Sequence, residues 1–249
     1  MTVAAIILAA GRGTRLKSTT QNKVSLMFHD KPIIAYAVDV VQDISDKTVV
    51  VVGAFADSVK DALKDHPDVT FAVQESQTGT GDALRVGFEA LKKDDPLFVL
   101  VGYGDHMMFY TPDRIRELIG FHQKHDAAIS LLTTHYAIAN DLGRIVRSSD
   151  GSILKIVEYK DATEEEKALT EINPGFYCFN YTFLKNHLKD IVKSPATGEY
   201  YLTDLLRVAW DYDLPVVGLP VPFNEVGIGI NRPDELQESQ ALFDTFRKA

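Results

Sequence analysis

Short runs of β-branched and other apolar residues alternate, over the first half of the chain, with stretches whose apolar residues recur every three or four positions. Runs of the first kind fit buried strands, and those of the second fit amphipathic helices. The spacing predicts strands over 3–9, 48–52, 69–73, 97–101 and 127–133, and helices over 31–43, 57–64, 81–91 and 112–125. Within 31–43, Ile34, Ala37, Val38 and Val41 share one face. Pro112 opens its helix, where a missing N–H is harmless. This rhythm predicts an α/β fold, a parallel sheet covered by helices on both faces.

The rhythm changes after about residue 135. Segments 144–146 and 153–157 flank Ser149-Asp150-Gly151, which reads as a hairpin turn. Thr163-Glu164-Glu165-Glu166 fits a capping box at a helix start. A strand is expected over 172–180, and helices over 202–210 and 234–246. No Pro-, Gly- or Ser-rich linker and no repeat divides the chain, so a single domain over 1–249 is expected. The second half should complete the sheet and add a lobe over a cleft at the strand ends.

Composition narrows the function classes. The 249 residues are 45% hydrophobic, enough for a sizeable core. Lys and Arg number 26 against 35 Asp and Glu, a net charge of −9, which argues against nucleic acid as the main partner. A phosphate ligand would need cations gathered locally, and Arg12, Arg15 and Lys23 are so gathered. The lone cysteine, Cys178, lies in an apolar segment and reads as core. The apolar runs are strand-sized, which predicts no membrane insertion. With no basic leader pattern at the start, a cytoplasmic location is expected.

The candidate chemistry lies where predicted strands end. The first strand runs through Leu8-Ala9-Ala10 into Gly11-Arg12-Gly13-Thr14-Arg15, with Lys23 beyond. Gly11 and Gly13 let backbone approach a ligand, and Arg15 and Lys23 supply cations for an anion. Leu16 stands where a dinucleotide fingerprint has its third glycine, and no Gly-Lys-Ser/Thr follows. A loop wrapping a triphosphate remains, against an ordinary strand–helix turn. Gln74-Glu75-Ser76-Gln77-Thr78-Gly79-Thr80-Gly81 joins a strand to a helix. Gln74 or Gln77 could pair with a base edge, Gly79 and Gly81 could lie flat on a ring, and Thr80 offers a hydroxyl. The alternative is a glycine loop capping the next helix. Asp105 follows an apolar strand, as Asn231 follows an apolar stretch, and their oxygens suit Mg²⁺. Alone, Asp105 is more readily a helix cap or turn former. Glu158 and Asn173 could hold sugar hydroxyls, or be a surface charge and a turn residue. The histidines show no metal-ligand spacing, and His122 and His125 read as solvated.

Taken together and in order, these segments resemble the sugar-1-phosphate nucleotidyltransferase family, and within it the uridyltransferase domains joined to an acetyltransferase. The match runs from Leu8–Arg15 and Lys23 through 74–81, Tyr103-Gly104-Asp105, Gly143-Arg144-Ile145, 156–163 and Glu171-Ile172-Asn173 to 198–204 and Gly229-Ile230-Asn231. The resemblance implies a Rossmann-like, glycosyltransferase-A-like fold: a mixed, mostly parallel sheet with helices on both faces and a small sugar-side β lobe. It implies a nucleotide-binding half of about 1–135 and a sugar-side half of about 136–249. The implied reaction is Mg²⁺-dependent transfer from UTP to a sugar 1-phosphate, N-acetylglucosamine 1-phosphate first, giving a UDP-sugar and pyrophosphate.

The implied roles follow the motifs. Leu8, Ala9, Ala10, Gly11, Gly13, Gln74, Gln77, Gly79 and Thr80 would hold the nucleotide. Arg15 and Lys23 would face the triphosphate, and Asp105 and Asn231 would hold Mg²⁺. Tyr103, Gly104, Gly143, Glu158 and Asn173 would meet the sugar. The chain departs from the pattern at Asn22, where the family has Pro, and at His106-Met107-Met108-Phe109, where it has a Pro-Leu pair. Pro174 is a further departure. No hexapeptide-repeat, left-handed β-helix domain is expected, and so no acetyl transfer. A different sugar or pyrimidine, a metal-dependent glycosyltransferase and a non-catalytic nucleotide sensor stay open. The second would usually carry an Asp-x-Asp pair, which Asp105-His106-Met107 lacks.

Overall fold

The computed structural model describes residues 2–13, 21–136 and 142–248. Its strands are β1 (Val3–Ala9), β2 (Met27–Phe28), β3 (Lys31–Pro32), β4 (Lys47–Val52), β5 (Val69–Val73), β6 (Phe98–Tyr103), β7 (Ile129–His135), β8 (Arg144–Arg147), β9 (Ile153–Val157), β10 (Glu171–Ile172), β11 (Phe176–Asn180) and β12 (Val216–Pro220). Its helices are α1 (Ile33–Gln42), α2 (Ala56–Ala62), α3 (Thr80–Glu89), α4 (Pro112–Lys124), α5 (Glu164–Lys167), α6 (Tyr181–His187), α7 (Asp204–Asp211) and α8 (Pro233–Lys248). No helix among the described residues is long and apolar enough to cross a membrane.

The main sheet runs in the order β5-β4-β1-β6-β11-β7-β10-β8-β9, with β12 also paired to β7. Strands β5, β4, β1 and β6 are parallel. The sheet is mixed, as the resemblance implies: β11 inserts antiparallel between β6 and β7. Strand β7 serves two groups. Its first part pairs with β11 and β12, and its end pairs with β10, which leads into the β8–β9 hairpin. That hairpin is the small lobe.

Both faces of the sheet are covered, as the unbroken apolar strands require. Val3, Ala5, Ile7 and Ala9 of β1 pack with α1, α2, α4 and α8. Ala4, Ile6 and Leu8 pack on the other face with α3, α6 and α7. Cys178 lies fully buried on the first face.

Other differences have local causes. The helix expected over 31–43 starts at Ile33, because Lys31–Pro32 pairs with Met27–Phe28. The strand expected over 172–180 breaks around Pro174, which has no N–H to give, and Gly175, whose φ is +81°. The pattern missed α6 and β12. His122, read as solvated, is 1% exposed, edge-on to Phe98 and bonded through Nδ1 to Ser130 Oγ at 2.9 Å. The capping box is present, with the Thr163 and Glu166 side chains each bonding the other's backbone N–H.

Candidate active site

A cleft of about 640 Å³ lies at the carboxyl ends of β1, β5 and β6, where open α/β sheets bind ligands. Leu8, Ala9, Ala10, Gly11 and Arg12 line it from the first loop; Gln74, Gln77, Gly79 and Thr80 from the second. Tyr103, Asp105 and His106 enter after β6, with Lys23 and Asn231 opposite. Gly11 is open: an added Cβ would meet nothing within 4 Å. Gly13 does not line the cleft. It takes a φ of +59° and lies against the Lys23 side chain, 3.3 Å from its Cβ to the position a Cβ would occupy. Arg15 lies outside the described residues.

Lys23 is set by a residue that sequence reasoning noted only as a departure. Asn22 is 1% exposed. Its amide nitrogen donates to the carbonyls of Ala9 (3.1 Å), Gly11 (2.9 Å) and Ala54 (2.9 Å), and its Oδ1 accepts from the Val24 N–H (3.2 Å). One side chain thus ties the end of β1, the glycine loop and the turn after β4 to the short helical turn Lys23–Ser25.

The Lys23 ammonium forms an ion pair with Asp105 and donates to Asn231 Oδ1 at 2.7 Å. Residues far apart in sequence meet there because backbone ties hold their loops. The Ile230 N–H donates to the Asp105 carbonyl at 3.1 Å. The Asn231 and Arg232 N–H groups donate to the Glu235 carboxylate at 2.7 and 2.8 Å, in the first turn of α8. His106 Nε2 donates to the Gly227 carbonyl at 3.2 Å. The His106 ring also occupies the space beside Gly229, where a Cβ would stand 2.9 Å from Nδ1. Burial disfavours the Asp105 carboxylate, but the ammonium outweighs it and holds the carboxyl below its ordinary range. Burial pushes the His106 imidazole down, against the pull of Asp105.

A carboxylate oxygen and an amide oxygen therefore already converge on one cation, the ammonium. A hard divalent ion would find the same two oxygens suitable. Among the described residues no group of three or more His, Cys, Asp or Glu could form a metal cage. An Mg²⁺ ion there would keep several waters, which two protein oxygens leave room for.

In the second loop, Gly79 has a φ of +118°, and an added Cβ would lie 2.3 Å from the Tyr200 carbonyl. Gly81 N–H donates to that carbonyl at 2.7 Å, and Leu202 N–H to Thr80 Oγ1 at 3.0 Å. The glycines expected to lie flat on a ring are packed against this chain's own 200–202 segment. Arg12 Nε donates to Gln77 Oε1 at 3.2 Å, and Gln77 Nε2 to the Gln74 carbonyl at 3.2 Å.

A model of the nucleotidyl transferase family matches residues 4–222. The chain belongs to that family. Two curated relatives, the bifunctional protein GlmU of Thermoanaerobacter pseudethanolicus and that of Brevibacillus brevis, are 38% and 39% identical over 238 and 243 residues. Each alignment covers 95% of this chain and 50% of the relative, so the chain spans about half the length of these proteins. A crystal structure of a Bacillus anthracis protein assigned as a glucose-1-phosphate thymidylyltransferase, in complex with sucrose, superposes with a TM-score of 0.78. That alignment covers 97% of this chain and 95% of the other at 21% identity, and so speaks to the fold.

Within this nucleotidyltransferase, the residues expected on the sugar side divide. Tyr103 lines the cleft. Gly104 does not: an added Cβ would stand 2.7 Å from Ile34 Cδ1, so the missing side chain makes room for α1. Gly143, Glu158 and Asn173 gather in the small lobe, outside the cleft wall. The Asn173 N–H donates to the Gly143 carbonyl at 2.9 Å. The Asn173 amide donates to Tyr177 Oη at 2.6 Å, and its Oδ1 accepts from the Gly175 N–H at 3.0 Å. Asn173 is 4% exposed, so here it braces the lobe. Glu158 accepts from the Thr203 hydroxyl at 2.9 Å. Burial raises the Glu158 carboxyl above its usual range, the Thr203 bond opposing and Asp161 and Glu199 adding to the rise. Burial also raises the Tyr103 hydroxyl, and the Glu158 charge adds to it. Tyr103 thus stands in the cleft wall near Glu158 of the lobe.

Proposed function

We propose that this nucleotidyltransferase moves the uridylyl group of UTP onto a sugar 1-phosphate, N-acetylglucosamine 1-phosphate for preference, with Mg²⁺ as its cation. The observation that carries the reading is the meeting of Lys23, Asp105 and Asn231 in the cleft that Gln74 also lines. The order of motifs along the chain supports the choice of substrates.

An oxygen of the sugar phosphate attacks the α-phosphorus. A new P–O bond forms as the bond to the departing pyrophosphate breaks. The nucleophile is already an anion, so no side chain need take its proton. The obstacle is repulsion between two anions. Asp105 and Asn231 would hold Mg²⁺, which would supply Lewis-acid neutralisation of phosphate charge. Lys23 then releases its bridge between those two residues and turns to the triphosphate, which its flexible stem allows. Arg15 adds a second cation there. Asn22 keeps the backbone of Ala9 to Gly11 fixed against the phosphates. Glu158 would meet the sugar from the lobe that Asn173 and Gly143 brace, with Tyr103 between the lobe and the nucleotide.

Pyrophosphate release from UTP, dTTP and CTP is measured against a panel of sugar 1-phosphates, with and without Mg²⁺. The expected result is Mg²⁺-dependent release with UTP and N-acetylglucosamine 1-phosphate. Turnover of a preformed nucleotide sugar without pyrophosphate chemistry would instead show a glycosyltransferase. Tight nucleotide binding with no turnover on any sugar phosphate would show a sensor.

A further inference from the structure

Gln74 follows β5 directly, and its N–H extends the ladder to the Val52 carbonyl at 2.8 Å. The residue is 3% exposed and its side chain lines the cleft. The side-chain nitrogen donates to the Gly79 carbonyl at 3.1 Å and to Asp82 Oδ2 at 2.8 Å. A carbonyl and a carboxylate oxygen only accept, so the amide cannot be turned the other way. Both amide hydrogens are used. What is left for a ligand is Oε1, an acceptor to which no described residue donates. The clamp is itself fixed. Gly79 is pinned against the Tyr200 backbone, and Asp82 is in the first turn of α3.

We infer that Asp82 sets the base preference of the cleft, by holding the Gln74 amide so that only its oxygen faces the ligand. The class admitted is a nucleobase with an imide N–H, as uracil and thymine have. Cytosine presents a ring-nitrogen lone pair at the equivalent position, and two acceptors then face each other. A site built around one hydrogen bond rejects the analogue lacking the donor, because the buried partner is left unpaired. Asp82 acts through Gln74 and is a positioning residue. The inference rests on the nucleotide lying in this cleft, as proposed above.

The test is calorimetric titration of UTP, dTTP and CTP, with Mg²⁺ and no sugar phosphate, into the wild-type protein and into Asp82→Ala and Asp82→Asn. The wild type should bind UTP and dTTP at least ~10-fold more tightly than CTP. In Asp82→Ala one anchor of the amide is gone, and the UTP-to-CTP ratio should fall by about 5- to 10-fold. Asp82→Asn keeps an accepting oxygen at the same reach and should hold the ratio near that of the wild type. A merely structural loss would weaken all three nucleotides alike and leave the ratio unchanged. Equal binding of UTP and CTP by the wild type overturns the inference without need of any variant, while leaving nucleotidyl transfer intact. An unchanged ratio in a folded Asp82→Ala protein overturns it too. No binding of any nucleotide by the wild type would overturn the functional reading beneath it.

Discussion

Replacing Lys23 by Met keeps most of the side chain and removes its charge. Asp105 then loses the ammonium that holds it ionised in the cleft. Removing one partner of a buried ion pair costs roughly 3–5 kcal/mol. Both partners keep 16% exposure, so the lower end applies, about 3 kcal/mol. In a protein of this size 1 kcal/mol shifts Tm by roughly 2–4 °C, so the variant should melt about 6–12 °C below the wild type without metal. Mg²⁺ should then rescue it. A divalent ion on the vacated oxygens at 100 times its Kd returns about 2.7 kcal/mol, most of the loss. In the wild type the ion must first displace the ammonium, so the same Mg²⁺ titration should raise Tm less. Turnover should fall by ~10²–10³, the usual effect of losing one preorganised charge at a transferring phosphoryl group. The assay is thermal melting across an Mg²⁺ series for wild type, Lys23→Met and Lys23→Met/Asn231→Ala, the last of which should lose the rescue. An Mg²⁺ shift of equal size in wild type and Lys23→Met would refute the reasoning, as would a metal-free variant melting with the wild type.

Two further outcomes follow from single residues. Asn22→Ala removes the amide that joins Ala9, Gly11 and Ala54 and leaves their carbonyls short of a donor; it should lower stability by about 1–3 kcal/mol and reduce turnover, checked by denaturant melts and pyrophosphate release. Burial pushes His122 down to about 4, against about 6.5 in the unfolded chain. The unfolded state therefore takes the proton first, so His122 contributes fully above about pH 6.5, and its contribution of about 3 kcal/mol is lost as pH falls towards 4. His122→Phe should flatten the pH dependence of stability over that window, and an unchanged slope would count against the burial argument.

Much of the fold was legible because buried parallel strands read as unbroken apolar runs. β1 and β5 fall at the bounds that pattern predicts. Strand direction carries no such mark, and so the antiparallel insertion of β11 was not seen. β12 is short and holds Gly218 and Pro220, which blur any strand signal. His122 was legible and misread: it continues the face of Ile115, Leu118 and Ile119, whose helical spacing marks the core. In the cleft, loop residues after strand ends were readable, because Gln74, Asp105 and Asn231 each follow an apolar run. That Lys23 lies between Asp105 and Asn231 depends on tertiary ties across more than a hundred residues, which no local pattern holds. Asn22 and Asp82 were missed as positioning residues because their whole effect is to aim another group.

The most direct measurement is a crystal structure with a non-hydrolysable UTP analogue and Mn²⁺, read by anomalous scattering. One Mn²⁺ peak is expected between Asp105 and Asn231, with the Lys23 ammonium moved onto the triphosphate and the uracil against Gln74. A nucleotide bound elsewhere, or a metal peak away from those two oxygens while Lys23 keeps its bridge, would contradict that expectation.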